Sequence, residues 1–199
     1  MKHWAAKMSS KKIVLVVITF AAMLHAQVSC AVEYLGLDIG KQTLEQTKSQ
    51  LTAASAQFED NYGYKGYKDL TFIKITQFDR FSKFGAVREG WLRFSPKEVL
   101  YEVMVTYADS GDTFKVLKDA LDSKYGHPQV NGTGFNQNYS YRDGKVNIIL
   151  ERNTFGFGAD QKTTLLYTYT PLLGEVKKMQ VRIEGEIRKE NAKKAGSDL

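Results

Sequence analysis

Apolar residues recur at helical spacing in two parts of this chain ahead of its C-terminal region. The clearer stripe consists of four residues that are three or four positions apart, Phe114, Leu117, Leu121 and Tyr125. It predicts a helix that Asp112 or Thr113 caps and that Gly126 ends, because glycine takes the left-handed C-terminal position at little cost. The other stripe is thinner. It predicts a short helix after Thr43, whose hydroxyl would form a capping box with Gln46.

Segments of alternating apolar and polar residues follow each helix and predict strands. They lie at 57–61, 69–78, 91–94 and 99–107 in the first half and at 138–142, 145–151 and 163–170 in the second. Asp143-Gly144 is a dipeptide typical of tight hairpins, so the strands beside it are expected to pair antiparallel. The pattern is therefore a helix followed by antiparallel strands, and it occurs twice.

Apolar residues near the C-terminus fit a helical stripe from about Leu172 to Ala192, although Met179, Val181 and Ile183 also alternate as in a strand. Length and charge spacing favour the helix, and we expect residues 193–199 to fray. We predict an α+β fold: an antiparallel sheet with helices packed on one face, two tandem helix-plus-meander units and a C-terminal helix. The predicted boundaries are 32–174 for the α+β domain, with possible units at 34–107 and 108–171, and 175–199 for the C-terminal helix and frayed tail.

Residues 1–31 have the pattern of a bacterial signal peptide. Four lysines precede an apolar run at 13–24, and Ser29-Cys30-Ala31 supplies small residues for cleavage. The run is too short for a transmembrane helix of roughly twenty residues, so we expect no membrane span after signal removal. The mature chain is then expected in the periplasm or secreted. Ser29 also suits a lipoprotein signal, but Gln27 stands where leucine is preferred. Cleavage after Ala31 and lipidation at Cys30, which would give an outer-membrane lipoprotein, therefore both remain open.

The positive charge of the chain lies at its two ends. The whole sequence has 28 Lys and Arg against 22 Asp and Glu, whereas residues 32–174 have 17 of each. A nucleic-acid-binding domain usually presents a basic face. We therefore expect no nucleic-acid partner.

Few residues of the mature chain are suited to catalysis or metal binding. Cys30 is the only cysteine, and two of the three histidines lie in the signal, which leaves His127. This excludes a disulfide, a cysteine nucleophile and a His/Cys zinc site, and we predict no catalytic residue, metal or cofactor. His127 follows a helix end, where a cation suits the helix dipole. The carboxylates at 59–60, 119 and 122 leave a periplasmic hydrolase with a carboxylate pair as the alternative function.

Two aromatic segments are the candidate binding residues. Tyr62, Tyr64 and Tyr67 alternate with glycine and lysine in a predicted loop, and Phe155 and Phe157 lie in a second predicted loop. Tyrosine offers a flat amphipathic surface at low entropic cost, so such loops are typical of contact surfaces. An ordinary hairpin whose tyrosines fold back on the sheet is the alternative. We predict an exported, non-enzymatic binding or assembly protein whose partner is a protein or another envelope component.

The stretch from Gly111 to Pro128, Gly-Asp-Thr-Phe-Lys-Val-Leu-Lys-Asp-Ala-Leu-Asp-Ser-Lys-Tyr-Gly-His-Pro, resembles the helix opening of small exported modules. These modules include the outer-membrane assembly lipoproteins and the β-lactamase inhibitory protein. The resemblance covers about eighteen residues, and faintly residues 40–51. It implies a helical segment packed on an antiparallel sheet and a role in binding or assembly rather than catalysis. The disulfides of the inhibitory protein are absent here.

Overall fold

Strands dominate the computed structural model, which describes residues 33–108, 111–155 and 160–197. Residues 32–199 form one compact unit. The predicted signal peptide at 1–31, with Cys30 and both candidate processing sites, lies outside the described residues, as does Phe157.

Helices and strands follow one another in the predicted order, with one short helix and one short strand more than expected. The first half consists of α1 (Leu44–Ala53), β1 (Gln57–Tyr64), β2 (Tyr67–Gln77), α2 (Asp79–Ser82), β3 (Val87–Phe94) and β4 (Leu100–Ala108). The second half consists of α3 (Asp112–Tyr125), β5 (Gln129–Asn131), β6 (Asn136–Asp143), β7 (Val146–Asn153) and β8 (Lys162–Tyr169). A single 3-10 turn (Thr170–Leu172) then leads into α4 (Leu173–Ser197).

All eight strands belong to one antiparallel sheet with the order β1-β2-β3-β4-β8-β7-β6-β5. Each half is a four-stranded meander, and the two meanders join where β4 pairs with β8, from Glu102 opposite Thr168 to Ala108 opposite Lys162. The predicted α+β class with an antiparallel sheet and a C-terminal helix is confirmed.

The helix ends follow local chemistry. At α1, the Thr43 hydroxyl accepts from the Gln46 amide at 3.3 Å and the Gln46 side chain accepts from the Thr43 amide at 2.9 Å, so the predicted capping box is confirmed. Gly126 ends α3 with φ of 80°, also as predicted. The predicted cap of α3 by Asp112 or Thr113 is wrong, because Gly111 occupies the N-cap and no side chain caps the helix.

Helices α1, α2 and α3 pack on one face of the sheet and build the main core. Each helix contributes buried side chains, and the strands contribute the side chains that point to this face of the sheet. The core includes Leu44, Leu51, Phe81, Phe114, Leu117, Leu121, Ile73, Val103, Val105, Ile148 and Leu165. Burial of this apolar set is the main source of stability for a chain without disulfides.

Helix α4 packs on the opposite face. Leu70 and Ile73 of β2 point to opposite sides of the sheet because side chains alternate along a strand. Ile73 belongs to the main core, whereas Leu70 joins Tyr101, Val176 and Ile183 in a second cluster. The register between β3 and β4 shifts between Arg93 and Phe94, at the start of β4. This shift accompanies the placement of Tyr101 in the second cluster.

Helix α4 continues to Ser197, five residues beyond the predicted end at Ala192, and the expected fraying of residues 193–199 stays a prediction. Its last turns are rich in lysine, glutamate and alanine, which are strong helix formers. The Lys194 ammonium also contacts the Glu190 carboxylate one turn earlier at 2.8 Å. Such a pair supports an exposed helix by a few tenths of a kcal/mol, about 0.3.

Candidate functional site

The segment predicted as a tyrosine loop is a β-hairpin with a two-residue turn. Tyr62 and Tyr64 lie on β1 and Tyr67 opens β2, so the predicted loop is wrong and the segment is the hairpin given as the alternative. Lys65 and Gly66 form the turn with φ of 51° and 86°. Two successive left-handed residues match the twist of paired strands, which explains why the loop is this short.

Tyr64 and Tyr67 help to hold α4 on the sheet. Both are half-buried and pack against the second cluster. The Tyr64 hydroxyl donates to the Glu184 carboxylate at 2.7 Å, and Lys65 contacts the same oxygen at 3.2 Å. This hydrogen bond raises the pKa of Tyr64, and together with Lys65 it lowers the pKa of Glu184. The predicted binding role of the two tyrosines stays a prediction, and part of their surface is already engaged within the chain.

Tyr62 instead pairs with Trp91 of β3. The two rings meet edge to face with centroids 5.2 Å apart. The Tyr62 hydroxyl donates to Glu59 at 2.7 Å, and the Trp91 indole NH donates to Glu89 at 3.0 Å. Both polar edges are thus hydrogen-bonded within the chain, which fixes the orientation of the two rings. Fixed aromatic side chains lose little entropy when they bind, so the pair is preorganised for contact.

Trp91 begins a line of apolar side chains that crosses the middle of the sheet. Trp91 lies opposite Met104 of β4, Met104 opposite Leu166 of β8, and Leu166 opposite Ile149 of β7. We call these four residues the apolar row. All four are half-buried and none belongs to either core cluster. Because side chains alternate along a strand, the four residues lie on the sheet face opposite the main core.

Polar side chains flank the apolar row on both sides. On one side Arg93 forms an ion pair with Glu102, which also accepts a hydrogen bond from Thr168 at 3.3 Å. On the other side the hydroxyls of Thr106 and Thr164 lie 3.4 Å apart. Because the charges of Arg93 and Glu102 neutralise each other, this part of the sheet face has no strong electrostatic potential of either sign.

Phe155 is separated from the tyrosine hairpin. Its side chain is 71% exposed and meets Phe135 edge to face, with centroids 6.1 Å apart. Phe155 follows β7, which lies five strands from β1 in the sheet. At about 4.8 Å per strand this is a separation of about 24 Å. The structure therefore does not bring Phe155 together with Tyr62, Tyr64 and Tyr67.

Sequence reasoning identified Tyr62 but missed Trp91, Met104 and Ile149. It also did not single out Leu166, which lies in the strand predicted at 163–170. One signal in the sequence could have found these residues. In a strand covered on one side, the positions that alternate with the buried residues face water, so a large apolar residue at such a position is unexpected. The row itself depends on the register between four strands, which no local pattern specifies.

Two of the candidate carboxylates, Asp60 and Asp122, are engaged in ion pairs or hydrogen bonds. Lys48 contacts Asp60 at 2.8 Å and lowers its pKa. Asp122 accepts from Lys118 at 2.5 Å and from the Tyr141 hydroxyl at 2.8 Å, and both contacts lower its pKa. A general acid must hold its proton near neutral pH, which requires the opposite shift. Within the described residues, no group of three or more His, Cys, Asp or Glu side chains is placed to hold a metal ion.

Comparison with known proteins places the chain in one family. Residues 33–179 match the model of the TP0088 domain, so the chain belongs to the TP0088 domain family. No curated protein and no solved structure shows significant similarity to the chain. In the part of the chain that the structure describes, no helix is both long and apolar enough to cross a membrane. The family description states no activity, and function must be argued from the surface itself.

Proposed function

We propose that this TP0088-domain protein is an exported, non-enzymatic binding or assembly protein of the bacterial periplasm, and that the apolar row is its contact surface. The observation that carries the proposal is the position of Trp91, Met104, Leu166 and Ile149. They are in register on four neighbouring strands, yet belong to neither core cluster. Continuous apolar surface outside a core is typical of an interaction site.

The shape and composition of this surface favour a protein partner. The row crosses three strand spacings, about 14 Å, on a sheet face rather than in a cleft. Aromatic residues and methionine at the centre with polar groups around them are typical of protein interfaces. Since Arg93 and Glu102 pair with each other, the partner surface that fits best is apolar and uncharged.

The contacts of the carboxylates argue against the alternative hydrolase. Asp60 and Asp122, one from each candidate group, have lowered pKa values because each contacts a lysine. Asp122 also shares its second oxygen with Tyr141. Neither carboxyl is suited to protonate a leaving group at neutral pH.

Export is supported by the charge and apolar pattern of residues 1–31, and anchoring through Cys30 is a further proposal. The mass of the mature chain from the envelope distinguishes the two processing routes. A chain that begins at Val32 without acyl mass contradicts anchoring, and a diacylated Cys30 at the N-terminus supports it. An unprocessed chain recovered from the cytoplasm contradicts export.

Site-specific crosslinking tests the contact surface. A photoreactive phenylalanine analogue replaces Met104 or Leu166 in the full chain, expressed in its own cells, and Val130 provides the matched control. Val130 is exposed and lies on β5, outside the row. We expect one envelope protein to be crosslinked from both row positions and not from Val130. The purified partner should then bind the unmodified chain, and Leu166→Lys should weaken this binding at least a hundredfold.

Three outcomes would overturn the proposal. The first is the same set of adducts from Val130 as from the row. The second is an adduct of twice the chain mass, which would identify a second copy as the occupant. The third is unchanged binding of the purified partner to Leu166→Lys. Circular dichroism of that variant must match the unmodified chain, as expected for a half-buried position outside both cores.

A further inference from the structure

A cavity lies on the other side of the sheet, between α3 and the segment that precedes α1. Its volume is about 320 Å³, within the range of small-molecule sites. Leu165 and Tyr167 of β8 line it from the sheet, and Leu117 and Leu121 line it from α3. This cavity shares no residue with the apolar row, so what binds in it is independent of the proposed protein contact.

The segment at 33–37 closes one side of the cavity. Tyr34 and Leu37 pair through two backbone hydrogen bonds of 2.9 and 3.0 Å around a two-residue turn. Gly36 in that turn has φ of 81°, and the Arg80 guanidinium lies where a Cβ would be, only 1.6 Å from it. Arg80 donates to the Gly36 carbonyl at 3.0 Å. Because Gly36 has no Cβ, the Arg80 guanidinium can lie at the edge of the apolar cavity.

Basic side chains dominate the rim. Arg80, Lys83 and Lys124 line the cavity, against one carboxylate, Glu33. Glu33 contacts Arg80 at 3.6 Å. Lys83 and Lys124 form no ion pair among the described residues. Their ammonium groups lie 6.0 and 4.9 Å from the rings of Phe84 and Tyr125, respectively. Within the described part of the chain, two lysines that form no ion pair thus line an apolar cavity.

We propose that this cavity binds a single-chain amphiphile with an anionic head, such as a fatty acid or an alkyl phosphate. The alkyl chain would lie on Leu117, Leu121 and Leu165, and the head would meet Lys83 and Lys124. At about 30 Å³ per water-sized group, the cavity holds roughly ten methylene-sized groups. Charge complementarity selects an anionic head, because the rim carries an excess of positive charge.

Titration calorimetry of the purified full chain with ten-carbon probes tests this binding. Decanoate and decyl phosphate represent the two chemical sources of an anionic head. Decanol and decyltrimethylammonium keep the alkyl chain with a neutral or a cationic head. We expect both anions to bind more tightly than decanol, and the cation to bind most weakly. The order of the two anions identifies the source, a fatty acid or a phosphorylated lipid, and either order supports the proposal.

Two pairs of variants locate the site. Ala120→Trp places a large ring at the cavity mouth on the exposed side of α3, and Val116→Trp places it one turn earlier on an exposed position that does not line the cavity. We expect Ala120→Trp to abolish decanoate binding and Val116→Trp to leave it unchanged. The double variant Lys83→Gln, Lys124→Gln should weaken decanoate binding by about tenfold and leave decanol binding unchanged.

A second double variant, Lys115→Gln with Lys68→Gln, removes two exposed lysines that do not line the cavity and controls for net charge. Equal weakening by both double variants would overturn the proposed role of the rim. Undiminished decanoate binding by Ala120→Trp, equal affinity for the cationic probe, or no binding of any anion would overturn the site.

Discussion

Truncation of Ile183 to alanine should detach α4 without unfolding the main core. Ile183 is 0% exposed and belongs to a cluster of only four buried residues, with Leu70, Tyr101 and Val176. The change removes three carbon atoms, about 2.4 kcal/mol at about 0.8 kcal/mol per buried methylene, and leaves a cavity that adds to this cost. The neighbours of Ile183 include half-buried side chains that can move inward. We therefore expect a total of about 3 kcal/mol, near the lower end for this substitution.

Hydrogen exchange measured by mass spectrometry separates local from global effects. The amides of α4 should lose protection in Ile183→Ala, while those of β8 and β7 keep theirs, because the small second cluster can open independently of the main core. Urea unfolding monitored by circular dichroism gives the accompanying loss of stability.

Val181→Ala is the matched control on the same helix. Val181 is 56% exposed, so its truncation should change the free energy of unfolding by less than about 0.5 kcal/mol. A loss below about 1 kcal/mol for Ile183→Ala, or equal losses for the two variants, would refute the assignment of α4 to the sheet face. Uniform loss of protection across β7 and β8 would refute its independence from the main core.

Three further predictions concern the main core, the first helix and acid stability. Gly90→Ala should cost about 1–3 kcal/mol in urea unfolding, because the new Cβ would lie 2.8 Å from the buried Phe81 ring. Thr43→Ala should cost about 1 kcal/mol through loss of the capping box, and an unchanged urea midpoint would contradict it. The contact with Lys118 lowers the pKa of Asp122 in the folded state, so its stabilisation is present above the unfolded pKa and disappears as pH falls through the folded one. Asp122→Asn should therefore flatten the decline of the urea midpoint as pH falls below the ordinary pKa of an aspartate, and an unchanged decline would count against this linkage.

Local signals account for the parts of the fold that the sequence predicted. The capping box of Thr43 and Gln46 and the left-handed Gly126 each depend on a few neighbouring residues, and both are found where the pattern places them. The strand around Val103 is equally local, because its β-branched and aromatic residues favour extended backbone. Elements that depend on about a dozen consecutive residues could therefore be predicted from the sequence.

Nonlocal pairing explains what the sequence could not predict. The joining of β4 to β8 brings Glu102 opposite Thr168, 66 residues later, and no local pattern encodes this. The sequence left the tyrosine segment open between a contact loop and an ordinary hairpin for a different reason. The residues around Gly63 do not alternate in burial as a half-covered strand does, since β1 is an edge strand with several register shifts. The apolar row is harder still to predict from the sequence. It requires both the face to which each side chain points and the register between neighbouring strands.

The two faces of the sheet differ in how the chain completes them. Helices α1 to α3 pack on one face. Among the described residues, α4 packs on the other face in the cluster of Leu70 and Tyr101, and the apolar row lies outside both clusters. Because side chains alternate along a strand, threonine or lysine could replace Met104 or Leu166 without disturbing the core behind them. These apolar side chains are half-buried, so part of their surface still contacts water. That part gains about 25 cal/mol per Å² when another surface removes it from water. This asymmetry is why the apolar row, and not the tyrosine hairpin that already holds α4, is the stronger candidate for contact with a partner.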